Sequence, residues 1–158
     1  MKEKYQTNVA VFLILFKEIN KDTKILMQKR SNTGWMDGMY DFACSGYLES
    51  DESVAMAICR EAKEEIGVDI KEEDVKLIFL CHPYKTKKDH IDIFFTCKKY
   101  EGIPKIMEPK KCEDLKWFSL KSLPEDIIPE LQNVILSINK DIIYDDDRFH
   151  RLEDLNLV

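Results

Sequence analysis

The sequence predicts a mixed α/β fold, and three observations carry the prediction. Short apolar runs rich in β-branched and aromatic residues recur along the chain between polar turns, as strands do. A segment from Val54 to Gly67 repeats its apolar residues at helical spacing and stops at the glycine. Near the C-terminus, Ile128, Leu131, Ile135 and Ile138 repeat that spacing and should pack a second helix on the sheet. At 158 residues the chain is expected to form a single domain, 1–158, with a core of its own.

Taken in order, residues 1 to 6 read as a polar arm and Thr7 to Lys17 as a strand buried on both faces. Glu18 to Thr23 is a polar turn, and Lys24 to Arg30 is a second strand able to form a hairpin with the first. Ser31 to Tyr40 is a loop marked by Gly34, Gly38 and the Asp37-Gly38 turn signal. Two readings of it stand equal. In one, Arg30 meets a phosphate and Trp35 or Tyr40 stacks on a base. In the other, it is a surface loop whose aromatics close over the core. Asp41 to Leu48 is a strand that delivers Gly46 to the first helix, which Ser50 or Asp51 can cap.

Val75 to Tyr84 and His90 to Lys98 read as strands joined by the basic turn Lys85 to Lys88, which either attracts a phosphate tail or is solvated. Asp92 alternates with apolar residues and faces either a pocket or solvent. Tyr100 to Asp114 is a long loop, Leu115 to Leu120 a last strand, and Pro124 to Asn139 ends in the second helix. The tail from Asp141 reads as a helix cap, a dimer contact or a mobile end.

The first helix carries the chemistry. At about 100° per residue, Glu61, Glu64 and Glu65 share one arc beside an apolar stripe of Val54, Ala55, Ile58, Ala62 and Ile66. Three carboxylates that close repel when ionised, unless solvent, a basic partner or a bound cation offsets the charge. Hard divalent cations such as Mg²⁺ prefer oxygen ligands of this kind. Ala57, small and one turn before Glu61, leaves room for a metal-bound ligand. Arg60 flanks the acids and can pair with Glu64 at i, i+4, while Gly67 suits a left-handed C′ position.

Composition narrows the class. Charged residues make up 34% and apolar ones 44%, as in soluble globular proteins. A net charge of −6 argues against a general nucleic-acid surface, and an acidic protein handling phosphates needs metal ions to bridge the charge. Five cysteines without a C-x-x-C indicate neither a disulfide framework nor a zinc site. Cys59 reads as core, and His82, His90 and His150, isolated from one another, as structural. The apolar run Val9 to Phe16 is too short to span a membrane and lacks a cleavage pattern, so a cytoplasmic protein is expected.

Gly46, five residues, Glu52, seven residues, then Arg60-Glu61-Ala62-Lys63-Glu64-Glu65-Ile66-Gly67-Val68 resembles the Nudix box, G-x5-E-x7-R-E-U-x-E-E-x-G-U, at all seven fixed positions. The resemblance to MutT-like Nudix hydrolases implies an α/β/α sandwich with a mixed β-sheet. It also implies Mg²⁺-dependent cleavage of a diphosphate bond, with Mn²⁺ able to substitute. The substrate is a nucleoside diphosphate linked to another group: an (oxidised) nucleoside triphosphate or a nucleotide sugar such as ADP-ribose. The implied catalytic set is Glu61, Glu64, Arg60 and Glu52, with Arg60 orienting the acids and Glu52 anchoring loop to helix. The implied metal ligands are Glu61, Glu64, Glu65 and the backbone at Ser45, joined by a glutamate outside the box, Glu108 or Glu113, as ligand or base. Relatives are Gly-rich where this chain reads Cys44-Ser45-Gly46-Tyr47, a departure that bears on loop geometry and substrate fit. The expected partner is a small nucleotide, not a nucleic-acid polymer or a membrane, with the chain a monomer or homodimer. The alternative is a nucleotide-sensing module without turnover, which has no need of the intact acids.

Overall fold

The structure, a computed structural model, describes residues 2–82 and 90–145. Strand β1 (Asn8–Ile14) lies near the centre of a five-stranded mixed sheet ordered β5-β1-β7-β6-β9. Its partners are β5 (Cys44–Tyr47), β7 (His90–Cys97), β6 (Val75–Cys81) and β9 (Tyr144–Asp145). β1 is antiparallel to β5, with Val11 opposite Gly46, and parallel to β7. A second, antiparallel sheet centres on β3 (Asp22–Arg30). One edge of β3 takes β2 (Phe16–Ile19) and then β4 (Tyr40–Phe42); the other takes β8 (Cys112–Ser119).

Two stretches that read as single strands are each divided between the sheets. Thr7 to Lys17 turns a corner at Leu15, whose carbonyl accepts from Leu26 N at 3.0 Å, and Asp41 to Leu48 turns one at Ala43. Leu15 and Ala43 are both fully buried, so apolar patterning continues through each corner and hides it. The hairpin forms between β2 and β3, not along the whole first run. Its turn shrinks to Asn20 and Lys21, both at positive φ, the geometry that matches the twist of the flanking strands. Strand β8 starts at Cys112, earlier than Leu115, and the two-residue β9, parallel to β6, left no pattern to read.

Helix α1 (Val54–Ile66) buries Ala57, Ile58, Ala62 and Ile66 against Val11, Leu13, Leu15 and Phe95. Its N-cap is Ser53, not Ser50 or Asp51: Ser53 Oγ accepts from Met56 N at 3.1 Å, and Asp51 sits in the preceding turn at φ 65°. Gly67 closes the helix in the left-handed region at φ 70°, its N–H donating to Ala62 O. Helix α2 (Pro129–Asn139) opens on a proline and packs Leu131, Val134 and Ile135 against Ile14, Phe79 and Phe94. One core thus lies under each helix with the strands between them, an α/β/α arrangement built from two sheets. The basic turn Lys85 to Lys88, Tyr84, His150 and the tail beyond Asp145 lie outside the described residues. Among those described, no helix is long and apolar enough to cross a membrane.

Candidate catalytic site

The buried stripe of α1 fixes the helix against the sheet, and the acidic arc follows from that placement. Glu61 is 8% exposed and lies over Gly46 of β5. A Cβ at position 46 would come within 1.8 Å of Glu61 Oε1. Only glycine lets the carboxylate rest there, so the box glycine acts here through close approach. Gly46→Ala is expected to push Glu61 off its seat, costing about 1–2 kcal/mol of stability. Turnover should fall about 100-fold, since a displacement of this size misplaces a reacting group. Chemical denaturation and steady-state rates measure the two, and wild-type turnover in the variant would contradict the placement.

Arg60 gathers the acids. Its Nε and Nη2 donate to the two oxygens of Glu52 at 3.1 and 2.8 Å. Nη1 reaches Glu61 Oε1 at 2.7 Å and Glu64 Oε2 at 3.4 Å, and Nη2 also donates to Tyr47 O at 3.1 Å. Glu52 Oε1 in turn accepts from Glu49 N at 2.7 Å, tying the loop before the helix to its middle. The guanidinium holds the Glu52 carboxyl below the usual carboxylate range.

Glu65 faces the opposite wall. Its Oε2 accepts from Ser45 N at 3.0 Å and from Gln28 Nε2 at 3.2 Å. Burial nevertheless lifts its carboxyl to about 7, with the charges of Glu61 and Glu108 adding to the rise. Burial likewise raises Glu61, opposed by Arg60 and reinforced by Glu64 and Glu108.

Glu108 is brought in by the segment after β7. Asp69 and Glu101 exchange backbone hydrogen bonds, Lys105 N donates to Ile66 O, and Met107 N donates to Glu65 O at 3.1 Å. The segment therefore runs along the C-terminal end of α1 and sets Glu108 beside Glu65. Glu113 goes elsewhere, 3.9 Å from Lys29 Nζ and beside Tyr40. Of the two glutamates considered outside the box, only Glu108 joins the cluster.

Among the described residues no three acidic, histidine or cysteine side chains already stand in a ligand cage. Arg60 and Lys111 hold Glu61, Glu64 and Glu108 in its place. The donor set still fits a hard divalent cation. It consists of carboxylate oxygens, and Glu61 and Glu65 stand close enough to the other acids for neighbouring carboxylate charge to add to the rise that burial causes.

The loop candidates separate. Arg30 spends its guanidinium inside the protein: Nε donates to Trp35 O at 2.9 Å, Nη1 to the buried Asp41 at 2.8 Å and Nη2 to Thr33 Oγ1 at 3.0 Å. It braces the loop rather than presenting a free phosphate ligand. Trp35 rests over that guanidinium at 5.0 Å and is 46% exposed. Tyr40, a candidate for stacking on a base, is instead 6% exposed, with its ring edge-on to Phe118 and its hydroxyl bonded to Asp114. It belongs to the core. Asp92 lies 3.2 Å from His90 Nε2 and is mostly buried.

Two site residues escaped the sequence reading. Gln28 was absorbed into an apolar strand, although a polar residue on the side of Leu26 was a usable signal. Lys111 sits in a charged loop with nothing local to mark it. A cleft of about 1040 Å³ lies between β2, residues 69–71 and residues 96–101, and none of the clustered acids lines it. Chemistry, not volume, picks out the acidic cluster, since a metal-bridged diphosphate is held by charge and needs no deep cavity.

A family model described as NUDIX domain matches residues 5–137. Among curated proteins, the NAD-capped RNA hydrolase NudC of Pseudomonas putida is 30% identical over 91 residues, which is 57% of this chain and 30% of that one. The chain thus spans about a third of the length of that relative. Among solved structures, a MutT NUDIX hydrolase from Burkholderia pseudomallei superposes with TM-score 0.70 at 21% identity, covering 85% of this chain and 98% of that one. The NUDIX domain of Shewanella oneidensis NrtR, solved with ADP ribose, gives 0.66 at 17% identity, covering 87% and 90%.

Proposed function

This chain belongs to the NUDIX domain family, and from that premise we propose that it is a divalent-metal-dependent pyrophosphohydrolase cleaving a nucleoside diphosphate linked to another group. The observation that carries the proposal is the gathering of Glu61, Glu64, Glu65 and Glu108 at one end of α1, close enough for their charges to act on one another. These four, with the backbone at Ser45, are the residues that would hold Mg²⁺ or Mn²⁺. Bound there, such ions supply charge neutralisation for the phosphate oxygens and a water acidic enough to attack at neutral pH.

The chain's own residues prepare that event. Arg60 and Glu52 keep Glu61 and Glu64 aimed at the cluster. Ser45 N–H and Gln28 hold one oxygen of Glu65. In the metal-free protein burial lets the Glu65 carboxyl keep its proton up to about pH 7. Arg60 and Glu52 are positioning residues in this scheme, with no contact to the reacting atoms.

The substrate class proposed is a small nucleotide, such as ADP-ribose or an oxidised nucleoside triphosphate. The solved NrtR complex with ADP ribose and the acidic net charge of this chain support it. A second reading, an NAD cap on RNA, is favoured by the 91-residue match to NudC. Trp35, exposed and fixed by Arg30, is the candidate stacking surface for the base. Trp35→Ala is expected to raise KM about tenfold, as loss of one base–aromatic stack does. The melting temperature should scarcely move; a large fall with unchanged KM would place Trp35 in the core.

The test is phosphate and product analysis with Mg²⁺ against ADP-ribose, normal and oxidised nucleoside triphosphates, and NAD-capped RNA. Tight binding without turnover of any member would favour a nucleotide sensor and overturn the enzymatic reading.

A further inference from the structure

Lys111 is the second cation of the cluster, with its side chain 60% exposed and its backbone held in a fixed turn. Its backbone N–H donates to Glu108 O at 2.9 Å, its carbonyl accepts from Ser31 N at 2.8 Å, and Cys112 N closes the same turn onto Glu108 O at 3.0 Å. Asn32 Nδ2 holds the adjacent Lys110 carbonyl at 3.0 Å. Residues 108 to 112 are thereby fixed both to each other and to the start of the Trp35 loop. From that turn Lys111 Nζ reaches Glu108 Oε1 at 3.0 Å, on the side where the charges of Glu65 and Glu61 also act on it.

We propose that Lys111 is a built-in competitor for the divalent cation, a positioning residue whose ammonium holds Glu108 in the metal-free protein and gives up that carboxylate when metal binds. The inference rests on the pyrophosphohydrolase reading and deepens it. A lysine ammonium carries one charge and no ligand field, so it keeps four acidic side chains tolerable together while leaving a doubly charged ion able to displace it. The consequence is a threshold: the site fills only when the metal concentration is high enough to outcompete the ammonium beside Glu108. The pair spans three residues and the Lys111 side chain is 60% exposed, so the threshold is modest and comes from the added positive charge rather than from a strong ion pair.

The experiment is direct Mn²⁺ binding without substrate, by electron paramagnetic resonance or calorimetry, for wild type, Lys111→Gln, Lys111→Arg and Glu108→Gln. Repulsion between a single charge and a neighbouring double charge in a water-like dielectric corresponds to about tenfold in affinity. Lys111→Gln should therefore bind Mn²⁺ about tenfold more tightly than wild type, with its metal-activation curve for hydrolysis shifted to lower concentration by the same factor. Lys111→Arg, which keeps the charge, should bind like wild type, and Glu108→Gln should bind more weakly. A folded Lys111→Gln protein with wild-type or weaker affinity, or an arginine variant that behaves like the glutamine one, would overturn this inference alone. Failure of wild type itself to bind Mn²⁺ would instead overturn the metal-dependent reading, and this inference with it.

Discussion

Glu65→Gln is expected to lower turnover by at least about 100-fold, as loss of a metal ligand does, while making the metal-free protein more stable at neutral pH. The opposite signs come from the same carboxylate. Glutamine can still accept from Ser45 N–H, so the local hydrogen bond survives, but it brings no charge to a cation. Burial lifts the Glu65 carboxyl from 4.5 to about 7, so the folded protein binds a proton that the unfolded chain releases. The stability from that proton is complete below about pH 4.5 and is lost as pH rises through about 7. The shift corresponds to about 3 kcal/mol over that window. In chelator, urea denaturation should show wild type weakening from pH 4.5 to 7.5 and the glutamine variant holding nearly level through the same range. Saturating Mg²⁺ should return stability to wild type and much less to the variant, because only a native-state ligand stabilises by mass action. A variant that loses stability at pH 7.5 while keeping its turnover would reverse both expectations and remove Glu65 from the metal set.

Arg60→Ala should unfold the site from the other side. Its guanidinium touches Glu52 and Glu61, whose side chains are only 10% and 11% exposed. Removing it leaves the buried Glu61 carboxylate without a cation, a loss of about 3 kcal/mol. Lysine should recover only part of this, because one ammonium cannot reproduce the paired bonds to Glu52 together with those to Glu61 and Tyr47 O. Turnover should fall as well, through misdirected acids rather than a missing contact to substrate. Equilibrium denaturation at pH 7 decides the matter. An alanine variant within about 0.5 kcal/mol of wild type, the range of ordinary surface changes, would show that solvent and not Arg60 compensates the glutamates.

Some of this is legible in the amino-acid sequence. Helical periodicity alone puts Glu61, Glu64 and Glu65 on one arc, sets Arg60 among them and marks Gly67 as the stop, because neighbours three and four apart on a helix are neighbours in space. The buried stripe of Ala57, Ile58, Ala62 and Ile66 largely follows from the same period, although Ala57 read as part of the acidic arc and is in fact packed beneath it. Strand positions were legible where one sheet holds the whole run, as in β3 and β7. They blurred at Leu15 and Ala43, where burial on every side leaves no alternation to show that the chain has changed sheets.

What the amino-acid sequence by itself determined is the chemistry of one helix and the apolar runs that form the two cores. Both are local properties, governed by backbone period and side-chain solubility. The tertiary structure decided which distant residues complete the site: Glu108 and not Glu113, Gln28 against Glu65, Lys111 beside Glu108, Asp41 under Arg30, and Tyr40 turned into the core. Such pairs depend on how long loops close over the end of α1 and on which strand edges meet. Those choices are made by the packing energy of the whole chain, and no single segment carries them.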